Sequence, residues 1–210
     1  MSAHATKSEG RPGVAIGPGW LVLVVGPSGA GKDTLIGRAQ VLLAGDETIV
    51  FPRRVVTREA SVHEDNLRVT PAEFDQAVAA GSFALSWRAH GHGYGLPHAI
   101  DGDIRAGRTV VANVSRTIVS ETRERYANTA VVLVTAPSEV LAQRLAARQR
   151  SSDVSIDERL ARASKNDDAL APDRVILNIG SPEDGGREIA GMIMRLKRNA
   201  RCATSAEGGG

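Results

Sequence analysis

Unbroken apolar runs and amphipathic stretches alternate along the chain. Trp20-Leu-Val-Leu-Val-Val25 is apolar throughout, the pattern of a strand buried on both faces of a parallel sheet. A glycine-rich turn follows, and then a helix from about Lys32 to Leu43. Arg53–Thr57 reads as a second strand. Thr70, Pro71 and Glu73 spell a capped helix start, with the helix running to about Ala80. Phe83–Arg88 is a strand, and Pro97–Ala106 a helix that stops at Gly107. Thr109–Asn113 is another buried strand, and Ser115 caps the helix after it. Ala130–Thr135, the helix Pro137–Arg148 and a helix over about 155–166 come next. Arg174–Asn178 is the last strand, and Pro182–Arg198 the closing helix. Repeated strand–helix units predict an α/β fold, a largely parallel sheet flanked by helices.

Residues 1–18 and 199–210 are rich in small residues and lack periodicity, which predicts disordered ends around one domain over 19–198. Aromatics make up only 3% of the chain, so the core must be aliphatic and alanine-rich. A formal charge of +2 is too small to make nucleic acid or a membrane the main partner. The single cysteine, Cys202, rules out a framework disulfide. Without a signal-like or membrane-length apolar run, a cytoplasmic enzyme is expected.

The chemistry is carried by Gly26-Pro27-Ser28-Gly29-Ala30-Gly31-Lys32, which matches G-x-x-x-x-G-K. Glycines let successive backbone N–H groups turn toward phosphate oxygens, and the following helix aims its positive end at them. Lys32 can then bridge the β- and γ-phosphates of ATP. Only four of the 26 basic residues are lysines, so a lysine here is hard to ascribe to composition. The next residue departs from the pattern: Asp33 stands where a hydroxyl would ligate Mg²⁺, and Thr34 follows. Asp33 is either a charge suited to the helix dipole or a carboxylate placed at the metal.

From about residue 20 to 197 the order of motifs resembles the guanylate kinase family of P-loop NTPases. The matching pieces are the phosphate loop, Thr57-Arg58, Pro71-Ala-Glu-Phe74, Gly81-Ser-Phe83, Trp87 and Tyr94-Gly95-Leu-Pro97. Arg144, Arg148 and Arg159 keep the spacing of that family's lid arginines. A closer resemblance is to the ribose 1,5-bisphosphate phosphokinase branch of phosphonate metabolism. Gly31-Lys32-Asp33, a loop containing Glu64, Phe83-Ala-Leu-Ser-Trp87 and Asn113-Val-Ser-Arg116 carry it. Where many members of the branch have His two positions past that Glu, this chain has Asn66.

The resemblance implies a kinase that uses ATP and Mg²⁺ to convert α-D-ribose 1,5-bisphosphate to 5-phospho-α-D-ribose 1-diphosphate. It implies an acceptor-binding region over about 53–97 and a helical lid over about 144–160. Thr57, Arg58, Glu64, Trp87, Tyr94, Asn113 and Arg116 would contact the sugar phosphate, and Lys32, Arg144, Arg148 and Arg159 the transferring group. Guanylate kinases end the strand matching Thr109–Asn113 in Asp, so this chain has lost one carboxylate there and gained Asp33. Their guanine-reading loop is replaced by Glu64-Asp-Asn-Leu-Arg-Val69. The rival readings are a guanylate kinase, another small-molecule kinase, and an inactive guanylate-kinase-like interaction module. A homodimer stays open. Trp87 is equally expected as pocket wall or core, Tyr94 as packing, and His90, His92 and His98 as loop or substrate contacts.

Overall fold

The computed structural model describes residues 14–58, 65–147 and 170–207, the side chains as far as 198. The apolar runs form a five-stranded, wholly parallel sheet in the order β2-β7-β1-β8-β9. Its members are β1 (Trp20–Val25), β2 (Ile49–Val50), β7 (Thr109–Asn113), β8 (Thr129–Thr135) and β9 (Arg174–Leu177). β1 lies at the centre, and its alternate side chains enter two separate cores. Leu21, Leu23 and Val25 face one, Val22 and Val24 the other. Neither face meets water, which is why the run shows no polar alternation.

The core on the Val22 side is closed by α1 (Lys32–Leu42) and the terminal helix α6 (Pro182–Glu207), through Leu35, Ala39, Ile189 and Ile193. The two helices pack closely at Gly186, where a Cβ would come within 2.4 Å of the Arg38 Cβ. α6 extends beyond the expected end near Arg198, into the segment expected to be disordered. No proline or glycine interrupts 187–207 except Gly191, and the added residues include good helix formers. At the other terminus Ile16 pairs with Tyr126 in an isolated bridge, so the last residues before β1 are tied down.

The core on the Leu21 side is covered by α3 (Ala99–Arg105), a 3-10 turn (Arg116–Ile118), α4 (Val119–Arg125) and a second sheet. That sheet has the order β4-β3-β6-β5, with β3 (Arg54–Val56), β4 (Asn66–Arg68), β5 (Phe83–Ala89) and β6 (His92–Pro97). The expected strand at Arg53–Thr57 therefore exists but lies outside the parallel sheet, antiparallel to β6. The chain contributes only the two-residue β2 to the parallel sheet at this stage. α2 (Pro71–Ala79) begins with the expected capping box: Thr70 Oγ1 accepts from the Glu73 N–H, and Glu73 Oε2 from the Thr70 N–H. Phe74 of α2 stacks on Phe83 with ring centroids 5.2 Å apart. α5 (Ser138–Ala147) follows β8.

At the end of the sheet where the parallel strands begin, Asp101 is buried and accepts from Tyr126 Oη and Arg125 Nη2, both at 2.6 Å. Burial, and then the Asp101 carboxylate, push the Tyr126 hydroxyl well above its ordinary value. No helix among the described residues is long and apolar enough to cross a membrane.

Lys197 on α6 pairs with Asp46 in the turn after α1. Its ammonium, then the Thr48 hydroxyl, hold the Asp46 carboxyl at about 2, below its ordinary 3.8. A carboxyl depressed by folding adds stability that is complete above its unfolded value and is lost as pH falls toward the folded one. Asp46→Asn should therefore lower Tm near neutral pH by a few degrees. The deficit relative to wild type should shrink between about pH 4 and about pH 2, as thermal melts across that window would show.

Candidate functional site

The loop that joins β1 to α1 is fixed by its glycines. Gly26 has φ 143°, and a Cβ there would lie 1.9 Å from the Val134 carbonyl oxygen, so β8 itself forbids a side chain. Gly31 has φ 89°, and its Cβ would fall 2.4 Å from Asn178 Nδ2. Pro27, Ser28, Gly29 and Ala30 make the turn between, closed by the Ala30 N–H donating to the Pro27 carbonyl at 3.3 Å. Gly31 is the N-cap of α1, and no side chain caps the helix. The first N–H groups of α1 are thus left for an anion. Lys32 arches back over the loop, its Nζ donating to the Gly26 and Pro27 carbonyls, each at 2.9 Å. Thr34 is exposed on the first turn.

Two asparagines at strand ends brace the loop from opposite sides. Asn178, just beyond β9, is buried and donates from Nδ2 to the Ala30 carbonyl at 2.7 Å. Its own carbonyl accepts from Arg144 Nη2 at 3.1 Å. Arg144 Nη1 is buried beside this junction and has no hydrogen-bond partner among the described residues. Asn113, the last residue of β7, donates from Nδ2 to Asp33 Oδ1 at 2.8 Å. The same oxygen accepts from Arg54 Nη2 at 2.9 Å. An Asp at 113 would set two carboxylates against each other, so Asn at 113 and Asp at 33 are matched.

The acceptor-side residues fall on the second sheet. Thr57 is bound to β6 in both directions: Gly93 N–H donates to Thr57 Oγ1 at 2.9 Å, and Thr57 N–H to the Gly93 carbonyl at 3.1 Å. Trp87 and Tyr94 are cross-strand partners, stacked 5.6 Å apart at 8°. Trp87 is buried in the core, while Tyr94 is only half-buried. Arg58 lies two residues past the end of β3, and Arg116 three residues past the end of β7. Both are half-buried. Glu64, Arg148 and Arg159 lie outside the described residues. The structure thus joins Lys32, Asp33 and Asn113 around the loop, with Arg144 reaching it through Asn178. Thr57, Trp87 and Tyr94 stand together on the neighbouring sheet.

No family model matches the chain. It is 61% identical over 178 residues to ribose 1,5-bisphosphate phosphokinase PhnN of Rhodopseudomonas palustris, covering 85% of this chain and 90% of that protein. It is 55% identical over 193 residues to the protein of the same name from Bradyrhizobium diazoefficiens, covering 92% of this chain and 96% of that protein. The chain belongs to the ribose 1,5-bisphosphate phosphokinase family. Among solved structures, guanylate kinase from Anaplasma phagocytophilum superposes with a TM-score of 0.59 at 20% identity, over 87% of both chains. That likeness shows the shared P-loop kinase fold.

Two residues of this phosphokinase escaped the sequence reading. Asn178 was visible only as the end of a strand, and Arg54 only as the second of two adjacent arginines in one. Their partners, the Ala30 carbonyl and Asp33, lie 148 and 21 positions away. Asn178→Ala would leave the buried Ala30 carbonyl unpaired and open a gap beside Gly31. It should cost about 1–3 kcal/mol of stability, measured by urea unfolding. Weaker ATP binding, measured by calorimetry, should accompany it. Unchanged stability would show that the loop does not lean on this bond.

Proposed function

We propose that the chain transfers the γ-phosphoryl group of ATP to the 1-phosphate of α-D-ribose 1,5-bisphosphate, giving 5-phospho-α-D-ribose 1-diphosphate and ADP. The observation that carries this reading is an uncapped helix start, Lys32 and the unpartnered Arg144 Nη1 gathered at one loop, in a chain whose relatives bear that activity in their names. The residues present fit a nucleotide. Gly26 and Gly31 let the loop lie against Val134 and Asn178, and the uncapped start of α1 with Arg144 Nη1 offers donors for phosphate oxygens.

MgATP, held by the loop amides and Lys32, would supply the phosphoryl group and a metal charge to offset that of the phosphates. The chain's own residues do the rest by alignment and charge neutralisation. The acceptor is a phosphate monoester, already ionised near neutral pH, so no general base is required. The loop amides and Lys32 hold the β- and γ-phosphates. Arg144 draws charge from the transferring group, with Arg148 and Arg159 assigned to the same task. Arg58 holds an acceptor phosphate through a bidentate fork, aided by Thr57, Glu64, Tyr94, Asn113 and Arg116. Trp87 acts as the wall behind Tyr94. Mg²⁺ would be held largely by phosphates and waters, with Asp33 as the loop carboxylate that could join them. With Oδ1 engaged twice, Asp33 serves through its other oxygen or through water. The cytoplasm is where ATP and sugar phosphates would meet such an enzyme.

A coupled assay offering ribose 1,5-bisphosphate and GMP with ATP tests the acceptor. The sugar bisphosphate should win by about 10³-fold or more in kcat/KM, because a guanine site needs polar partners that an unrelated loop leaves unpaired. GMP turned over equally well would overturn the assignment. Lys32→Ala should lower kcat by about 10³-fold or more, and activity within about tenfold of wild type would remove the phosphate loop from the mechanism. Asp33→Asn should raise the Mg²⁺ concentration for half-maximal activity, and an unchanged requirement would reduce Asp33 to a helix-end charge.

A further inference from the structure

A carboxylate in the first turn of α1 is a liability for a site that must accept a triphosphate, because like charges at close range repel strongly where water is scarce. Asp33 is only partly exposed, with 29% of its side-chain surface open. Something must neutralise it before nucleotide arrives, and the geometry points to Arg54. This side chain is 10% exposed and rises from β3, a strand of the second sheet. Its three nitrogens reach three different places. Nη2 donates to Asp33 Oδ1 at 2.9 Å, Nη1 to the Asn113 carbonyl at 3.3 Å, and Nε to Asn66 Oδ1 at 3.3 Å. One planar group thereby touches the phosphate-loop helix, the end of β7 in the parallel sheet, and β4 in its own sheet. A lysine has the charge but not the fork.

We propose that Arg54 is a positioning residue of the transfer: through Asp33 it neutralises the loop carboxylate and ties the acceptor sheet to the nucleotide site in one register. The charge role and the tethering role are carried by the same bonds. Losing Arg54 leaves the Asp33 carboxylate with the neutral Asn113 amide but no cation from this pair beside the phosphates, and loosens an ion pair between the second sheet and α1. Losing Asp33 as well removes the repulsion but not the loosened tether. This rests on the assignment of the loop to ATP and the second sheet to the acceptor.

The test is a double-mutant cycle of Arg54→Met and Asp33→Asn on the full chain, read in three ways. Melting of the ligand-free protein should show that the double variant loses no more than the worse single one. Calorimetry with ATP at saturating Mg²⁺ should show affinity falling about tenfold in Arg54→Met and returning to within about threefold of wild type in the double variant. Transfer should stay slowed by about tenfold or more in the double variant, because the tether is still missing. Arg54→Lys, which keeps the charge, should bind ATP within about threefold of wild type while transfer slows at least tenfold. Should Arg54→Met fail to fold, the cycle is completed with Arg54→Lys, whose split between binding and transfer decides the matter. Additive losses in melting and binding, or a double variant that binds ATP no better than Arg54→Met, would overturn the proposal. So would Arg54→Lys with wild-type transfer. Melting and ATP binding do not involve the acceptor, so a wrong acceptor leaves both results intact, while a failed cycle leaves the wild-type acceptor assay unchanged.

Discussion

The burial of β1 on both faces is the constraint on which the rest depends. A strand with Leu21, Leu23 and Val25 in one core and Val22 and Val24 in another cannot slip or tilt without exposing one set. Its C-terminal end is therefore fixed against β7 and β8, and the loop that leaves it inherits that position. Gly26 lies flat against the Val134 carbonyl, and the strand ends on either side deliver Asn113 and Arg144's partner Asn178 to the loop. The shape of the loop is thus an outcome of core packing. Its backbone is held in place by the buried aliphatic residues of the two cores.

The second sheet answers a different need. Two of its strands, β3 and β4, are short, and β6 carries residues poorly suited to a sheet interior. Gly93 and Gly95 of β6 leave room for the rings of Phe74 and Phe83, which lie where Cβ atoms would stand. Aromatic side chains from α2 and β5 thus stabilise a strand that has little side-chain packing of its own. The sheet then presents Thr57 and Tyr94 from a surface braced on the main core through Leu85, Trp87 and Leu96. A scarcity of aromatics in the chain as a whole coincides with their concentration here.

The parallel sheet was readable in the sequence because each long strand is a continuous apolar run: β1 and β7 fall on the expected residues, and β8 and β9 differ by a single residue at one end. The start of α2 was legible for a local reason, since Thr70, Pro71 and Glu73 satisfy the helix end among themselves. β4 and β6 were not legible. Asn66–Arg68 has no apolar pattern, and His92–Pro97 contains two glycines and a proline whose acceptability depends on rings distant in sequence. The loop chemistry was visible as a motif, and Asp33 stood out as a departure from it. What answered that departure, Arg54, carried no sequence signal, because an arginine's partner is set by where two sheets meet.

Lys32 rests on the carbonyls of Gly26 and Pro27, both within its own loop. The ammonium therefore has two acceptors in the absence of any ligand. In the proposed role for Lys32, binding phosphate oxygens would give up two neutral acceptors for charged ones, so the net attraction would be smaller than the contact alone would supply. Once the γ-phosphoryl group had moved on, the same carbonyls would be there to take the lysine back. Under that proposal such a resting place would favour departure of the spent nucleotide over tight retention.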